Sequence, residues 1–167
     1  MAVRPIFIVG TGRSGTTLLR ALLNAHPDLH ISKESTVYLK VSERKLRRSP
    51  REELDRFFTS APFRWLDLDP ADVRKRLAAE YDRKDIFESV LRADAEKNGK
   101  VHWGDKTPGH WMCLEDLKMD FPDALIIHIM RDPRQVVPSL MRMPWASPSW
   151  LANTLYCERA LKALLKP

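Results

Sequence analysis

The stretch "PIFIVGTGRSGTTLLRALLNAHP", Pro5 to Pro27, constrains this chain more than any other. A short β-branched apolar run ending at a glycine reads as a strand buried on both faces. Glycines at 10, 12 and 15 then make a tight turn, and a helix is expected from Thr16 with Leu18, Leu19, Leu22 and Leu23 as its inner face, ending before Pro27. Gly10 and Gly15 are spaced as in a phosphate-binding loop, where backbone N–H groups and the positive end of the following helix face an anion. The lysine such a loop carries after its second glycine is here Thr16, and Thr17 follows. The loop therefore suits an anion that needs less neutralisation than a triphosphate. Its one cation is Arg13, three residues early.

The rest of the chain alternates in kind. From Lys40 to Lys100 the text is charge-rich and helical, with no repeat: "SPRE" at 49–52 reads as a capping box, and Leu54, Phe57, Phe58 and Ala61 fall on one helical face. Asp69 and Pro70 open another helix, and Ile86, Phe87, Val90 and Leu91 form a third stripe closed by Asn98 and Gly99. "VHWGDKTPGH" brings a strand and a turn, "HWMCLEDLKMDFP" a helix, and "ALIIHIM" a second buried strand with Arg131 directly after it. Residues 134–142 and 150–166 read as helices, the first with Pro138 inside it. Strands alternating with helices predict a parallel β-sheet flanked by helices, a P-loop-like, nucleotide-kinase-like three-layer α/β sandwich. The expectation is one domain over 1–167 with a helical insertion at 40–100.

Composition narrows the partners. Lys plus Arg number 28 against 22 Asp plus Glu, interleaved through the chain, which gives a mild anion bias without implying nucleic acid. Cys113 and Cys157 stand apart, with no His/Cys cluster at metal-ligand spacing, so neither a disulfide framework nor a metal is expected. The apolar runs are far shorter than the roughly 20 residues of a membrane span, and no signal sequence is read, so a soluble, cytoplasmic protein is expected.

On "PIFIVGTGRSGTTLLRALLNAHP" the chain resembles the 5′-phosphosulfate loop of sulfotransferases that use 3′-phosphoadenosine 5′-phosphosulfate (PAPS), above all the tyrosylprotein-type and bacterial branches. "FPDALIIHIMRDPRQVVPSLM" resembles their 3′-phosphate site, in which an arginine at a strand end and a serine eight residues later bind the phosphate; Arg131 and Ser139 match that spacing. The resemblance implies PAPS as co-substrate, PAP as product and no metal, held by Gly12, Arg13, Ser14, Gly15, Thr16, Thr17, Arg131 and Ser139. It also extends to "SKES" and "GDKTP". Glu34 aligns with the general base of the tyrosylprotein-type relatives, and Lys106 with the lysine that stabilises the leaving oxygen, work that Arg13 would share. His110 is an alternative base, since another branch uses a histidine near this place. His128 reads as a core or strand-end residue.

Two basic residues that peptide-sulfating relatives carry after the glutamate correspond to Thr36 and Lys40, so a hydroxylated small molecule or glycan is the expected acceptor rather than a tyrosine peptide. Family members usually continue past the last helix, and the chain is expected to correspond to the N-terminal portion of their domain. Two other readings stay open: a nucleotide kinase or NTPase, and a catalytically silent PAP-binding or nucleotide-binding module.

Overall fold

The computed structural model describes residues 4–165. Strands β1 (Ile6–Gly10), β2 (Leu29–Ser32), β3 (His102–Lys106) and β4 (Leu125–Ile129) form one parallel sheet in the order β2-β3-β1-β4. β1 runs between β3 and β4, with Phe7 opposite Asp105 and Ile126, and Gly10 opposite Ile129. The carboxyl ends of β1 and β4 are therefore adjacent, which brings the glycine loop next to Arg131. That juxtaposition is what the fold supplies to the site.

Gly104 fixes the spacing of the central strands, because a Cβ there would lie 2.2 Å from the Ile6 carbonyl oxygen. One face of the sheet carries Ile8, Leu29 and Ile31 against helix α1 (Thr16–Asn24). The inner face of α1 is narrower than its leucine pattern predicts: Leu19 and Leu23 pack on that layer, whereas Leu18 and Leu22 are 66% and 64% exposed.

The other face carries Phe7 and Trp103 into the main core. Helices α2 (Val37–Lys40), α3 (Glu43–Arg48), α4 (Pro50–Phe58), α5 (Ala61–Leu66), α6 (Pro70–Arg76) and α7 (Arg83–Lys97) build that layer. The stripe Ile86, Phe87, Val90 and Leu91 of α7 is fully buried, and Phe7 and Phe87 meet at 5.5 Å between ring centroids. Leu54, Phe57 and Phe58 of α4 are buried as expected, but Ala61 opens α5, and Ser49 makes no side-chain cap, so the predicted capping box is absent. Asp69 does cap α6, accepting from the Ala71 N–H at 2.8 Å.

After β3 the chain makes a 3-10 turn (Pro108–Cys113) and a short α8 (Leu114–Asp120), where the sequence suggests one helix. β4 is only partly buried, with Leu125 exposed, whereas β2, at the opposite edge of the sheet, is buried throughout. Helices α9 (Pro133–Leu140) and α10 (Trp150–Leu164) close the chain, packing through Val136, Val137, Leu140 and Cys157. The end of the predicted last helix, Lys166, lies outside the described residues.

Candidate functional site

The loop between β1 and α1 is held by its own short bonds: the Ser14 hydroxyl donates to the Thr11 carbonyl at 2.6 Å. Gly10 has φ 152° and no room for a side chain, a Cβ meeting the Ile129 carbonyl oxygen at 2.5 Å. Gly15 caps α1 in the left-handed region with open space around it, makes no side-chain cap, and is followed by no acidic residue in the first turn. The first N–H groups of α1 are thus left without a side-chain acceptor at a positive helix end, the condition for receiving an anion.

Arg13 also has positive φ, 70°. A left-handed backbone is costly for an arginine, and the side chain it carries has a distant partner: its Nε donates to the Ser139 hydroxyl at 3.0 Å, across 126 residues of chain. Arg131 completes the group, donating from Nη1 to the Arg13 carbonyl oxygen at 3.3 Å and from Nε to Gln135 Oε1 at 3.0 Å. Three residues singled out in two separate motifs therefore converge. Asp132, the obvious competitor for Arg131, is turned away: its carboxylate caps α9 and pairs with Arg134 at 2.6 Å. The hydrogen bonds from Arg134 hold the Asp132 carboxyl below the usual carboxylate range.

The second half of the site lies where the loop after β2 meets the end of β3. Lys106 Nζ is 2.6 Å from Glu34 Oε1; the lysine side chain is 7% exposed and the glutamate 42%. Asp105, next to Lys106 in sequence, faces His110 instead, with Oδ2 at 3.1 Å from Nδ1. The separation is that of a contact, but the ring nitrogen is not aligned as a hydrogen-bond donor, and both nitrogens of His110 lack partners. His110 is fully buried against the Tyr38 and Phe87 rings. Burial pushes the half-buried His128 imidazole down from its ordinary value and the Cys113 thiol up to about 12.

A cleft of about 340 Å³ joins the two halves. Gly12, Arg13, Thr16, Thr17 and Glu34 line it, with Thr36, Leu39, Thr107, Pro108 and Gly109 and the aromatic rings of Trp65, Trp145 and Tyr156. Lys106 touches it through Glu34, while Arg131 and Ser139 reach it through Arg13. Sequence reasoning missed Gln135, Trp65 and Tyr156. Gln135 stands four residues from both Arg131 and Ser139, so helical spacing could have found it. Trp65 and Tyr156 are brought in by packing alone, from α5 and α10.

Sheet, loop and converging arginines define the class: an α/β protein with a lysine-free phosphate loop at the carboxyl end of its central strand. The chain belongs to the sulfotransferase family, whose model matches residues 5–166. It is 31% identical over 138 residues to protein-tyrosine sulfotransferase 1 of Danio rerio, covering 81% of this chain and 35% of that protein. It is 32% identical over 152 residues to the nodulation protein NoeE of Sinorhizobium fredii, covering 85% of this chain and 32% of that protein. The sulfotransferase domain of the Synechococcus PCC 7002 olefin synthase superposes with a TM-score of 0.64 at 26% identity, over 98% of this chain and 62% of that one. The chain thus spans about a third of the length of these curated relatives.

Proposed function

We propose that this chain carries the donor site and base of a PAPS-dependent sulfotransferase acting on a hydroxyl group. The observation that carries the reading is the meeting of Arg13, Ser139 and Arg131 beside the open N-terminus of α1. Guanidinium groups and a hydroxyl suit a phosphate dianion, and the loop N–H groups suit the phosphosulfate end. In this reading Gly12, Ser14, Gly15, Thr16 and Thr17 hold that end, and Arg131 and Ser139 the 3′-phosphate.

Sulfuryl transfer passes through a loose transition state, so catalysis rests on positioning and on neutralising charge. The bond from sulfur to the bridging oxygen breaks, the acceptor oxygen bonds to sulfur, and the acceptor proton passes to Glu34. Lys106 and Arg13 meet the charge that develops on the nucleotide phosphate. Glu34 lines the cleft that an acceptor enters, whereas His110 has no exposed surface, which favours the glutamate as base.

The cleft also bears on the acceptor. Among the described residues Arg13 and Glu34 are its charged lining residues, and its aromatic walls are Trp65, Trp145 and Tyr156. A small hydroxylated molecule or a sugar with an uncharged face fits such walls better than an acidic peptide. Glu34→Gln tests the base: turnover of PAPS with a working acceptor is expected to fall about 10²- to 10⁴-fold, with PAP affinity unchanged. Unaltered turnover would remove Glu34 from catalysis.

A further inference from the structure

The loop that carries Glu34 is joined to the end of β3 by two adjacent links. One is the Lys106–Glu34 ion pair at 2.6 Å. The other runs from the Ser35 backbone N–H to Asp105 Oδ1 at 3.2 Å. The two differ in kind: the first joins side-chain ends, one of them partly in solvent, while the second ties main chain to a carboxylate with no exposed surface. A buried carboxylate is costly unless hydrogen-bonded or paired. Asp105 spends one oxygen on Ser35 and turns the other toward His110, itself fully buried between Tyr38 and Phe87.

On its other side the loop is tied to α2, the Thr36 carbonyl accepting from the Leu39 and Lys40 N–H groups. The Ser35 and Thr36 hydroxyls are buried without partners, and Thr36 sits at φ 53°, in the left-handed region that a β-branched residue avoids. Its N–H reaches the Thr107 hydroxyl only at 3.5 Å.

We propose that Asp105, backed by His110, is a positioning residue that keeps Glu34 in place when Lys106 is drawn from it to the leaving-group oxygen. The proposal rests on the roles given above to Glu34 and Lys106. Lys106 cannot neutralise a departing phosphate oxygen and keep its full pairing with Glu34. Once that link opens, the Ser35–Asp105 bond is the shorter of the two polar ties left between this loop and the end of β3 among the described residues, and a misplacement of about 1 Å can cost about 10²-fold in rate.

Amide hydrogen exchange at Ser35, read by NMR with and without PAP, tests this in the unmodified chain, Asp105→Asn and Asp105→Ala. The asparagine keeps an acceptor oxygen for Ser35; the alanine removes it. Ser35 exchange is expected to be slow in the first two and about tenfold or more faster in D105A, as for a lost hydrogen bond, with the amides of β1 unchanged. Where turnover is measured, D105A lowers kcat with PAP affinity intact, and D105N restores most of it. Equal Ser35 exchange in all three proteins, or acceleration spread through β1, overturns the proposal. His110→Phe keeps an aromatic ring and removes the nitrogen that stands 3.1 Å from Asp105 Oδ2, leaving that buried oxygen facing carbon only. Its Ser35 exchange is expected to quicken too, and unchanged exchange there overturns the proposal even if D105A does not fold. Exchange needs no acceptor, so absent turnover in the unmodified chain counts against the sulfotransferase reading and leaves the tether tested.

Discussion

At the scale of single residues, what separates a site from a surface is which partner each charge takes. Asp132 and Asp105 are the sequence neighbours that could have neutralised Arg131 and Lys106. Neither does so: Asp132 goes to Arg134, and Asp105 is buried against Ser35 and His110. The two cations are left to Arg13, Gln135 and Glu34, of which Arg13 and Glu34 line one cleft. Arg13, Arg131 and Ser139 were all legible, since their types and spacing carry the chemistry. Their partners were not, because a strand end allows either neighbour and only the packed structure chooses. Replacing Arg131 by alanine is expected to weaken PAP by about 10- to 100-fold, the worth of a charge-assisted hydrogen bond, and 5′-AMP by much less. Equal losses for the two nucleotides, measured by calorimetry, would take Arg131 out of a 3′-phosphate site.

At the scale of elements, β1, its glycine loop and α1 could be read almost to the residue, because a β-branched run, three glycines and a proline stop leave one local solution. The outer leucines of α1 and the half-buried β4 could not, since periodicity gives a stripe but not how much sheet lies beneath it. The helices before β3 show the same division. Their apolar stripes were visible, yet the clamp that binds three of them together is polar: Glu53, 3% exposed at its side chain, accepts from the Ser42 N–H at 2.7 Å and from Arg56, which also reaches the Lys40 carbonyl. The bond from Arg56 holds the Glu53 carboxyl below its ordinary value. A carboxyl depressed in the folded state adds stability above its unfolded pKa and loses it as pH falls through the folded value. Glu53→Gln is therefore expected to cost about 1–3 kcal/mol near neutral pH, with the gap to the parent closing in acid. Urea unfolding at pH 7 and pH 3 measures this, and a gap that stays constant would contradict it.

At the scale of the whole molecule, a four-stranded parallel sheet places two motifs, whose contacting residues are 118 and 126 apart in sequence, at neighbouring strand ends, as the pairing of Gly10 with Ile129 requires. The alternation of strands and helices made that class of fold legible; the strand order did not follow from it. Nor did the cleft beside the loop, whose aromatic walls come from α5, α10 and the segment before α10, three regions with no motif of their own. The family match spans residues 5–166, and the curated relatives are about three times as long; the proposed donor site is the part of the reading that binding alone can test. Titration calorimetry of the purified chain with PAP, against 5′-AMP and ADP and without magnesium, tests that half directly. The arginine–serine group predicts that PAP binds at least about tenfold more tightly than 5′-AMP. Equal affinity for the two, or a preference for ATP that depends on magnesium, would contradict it.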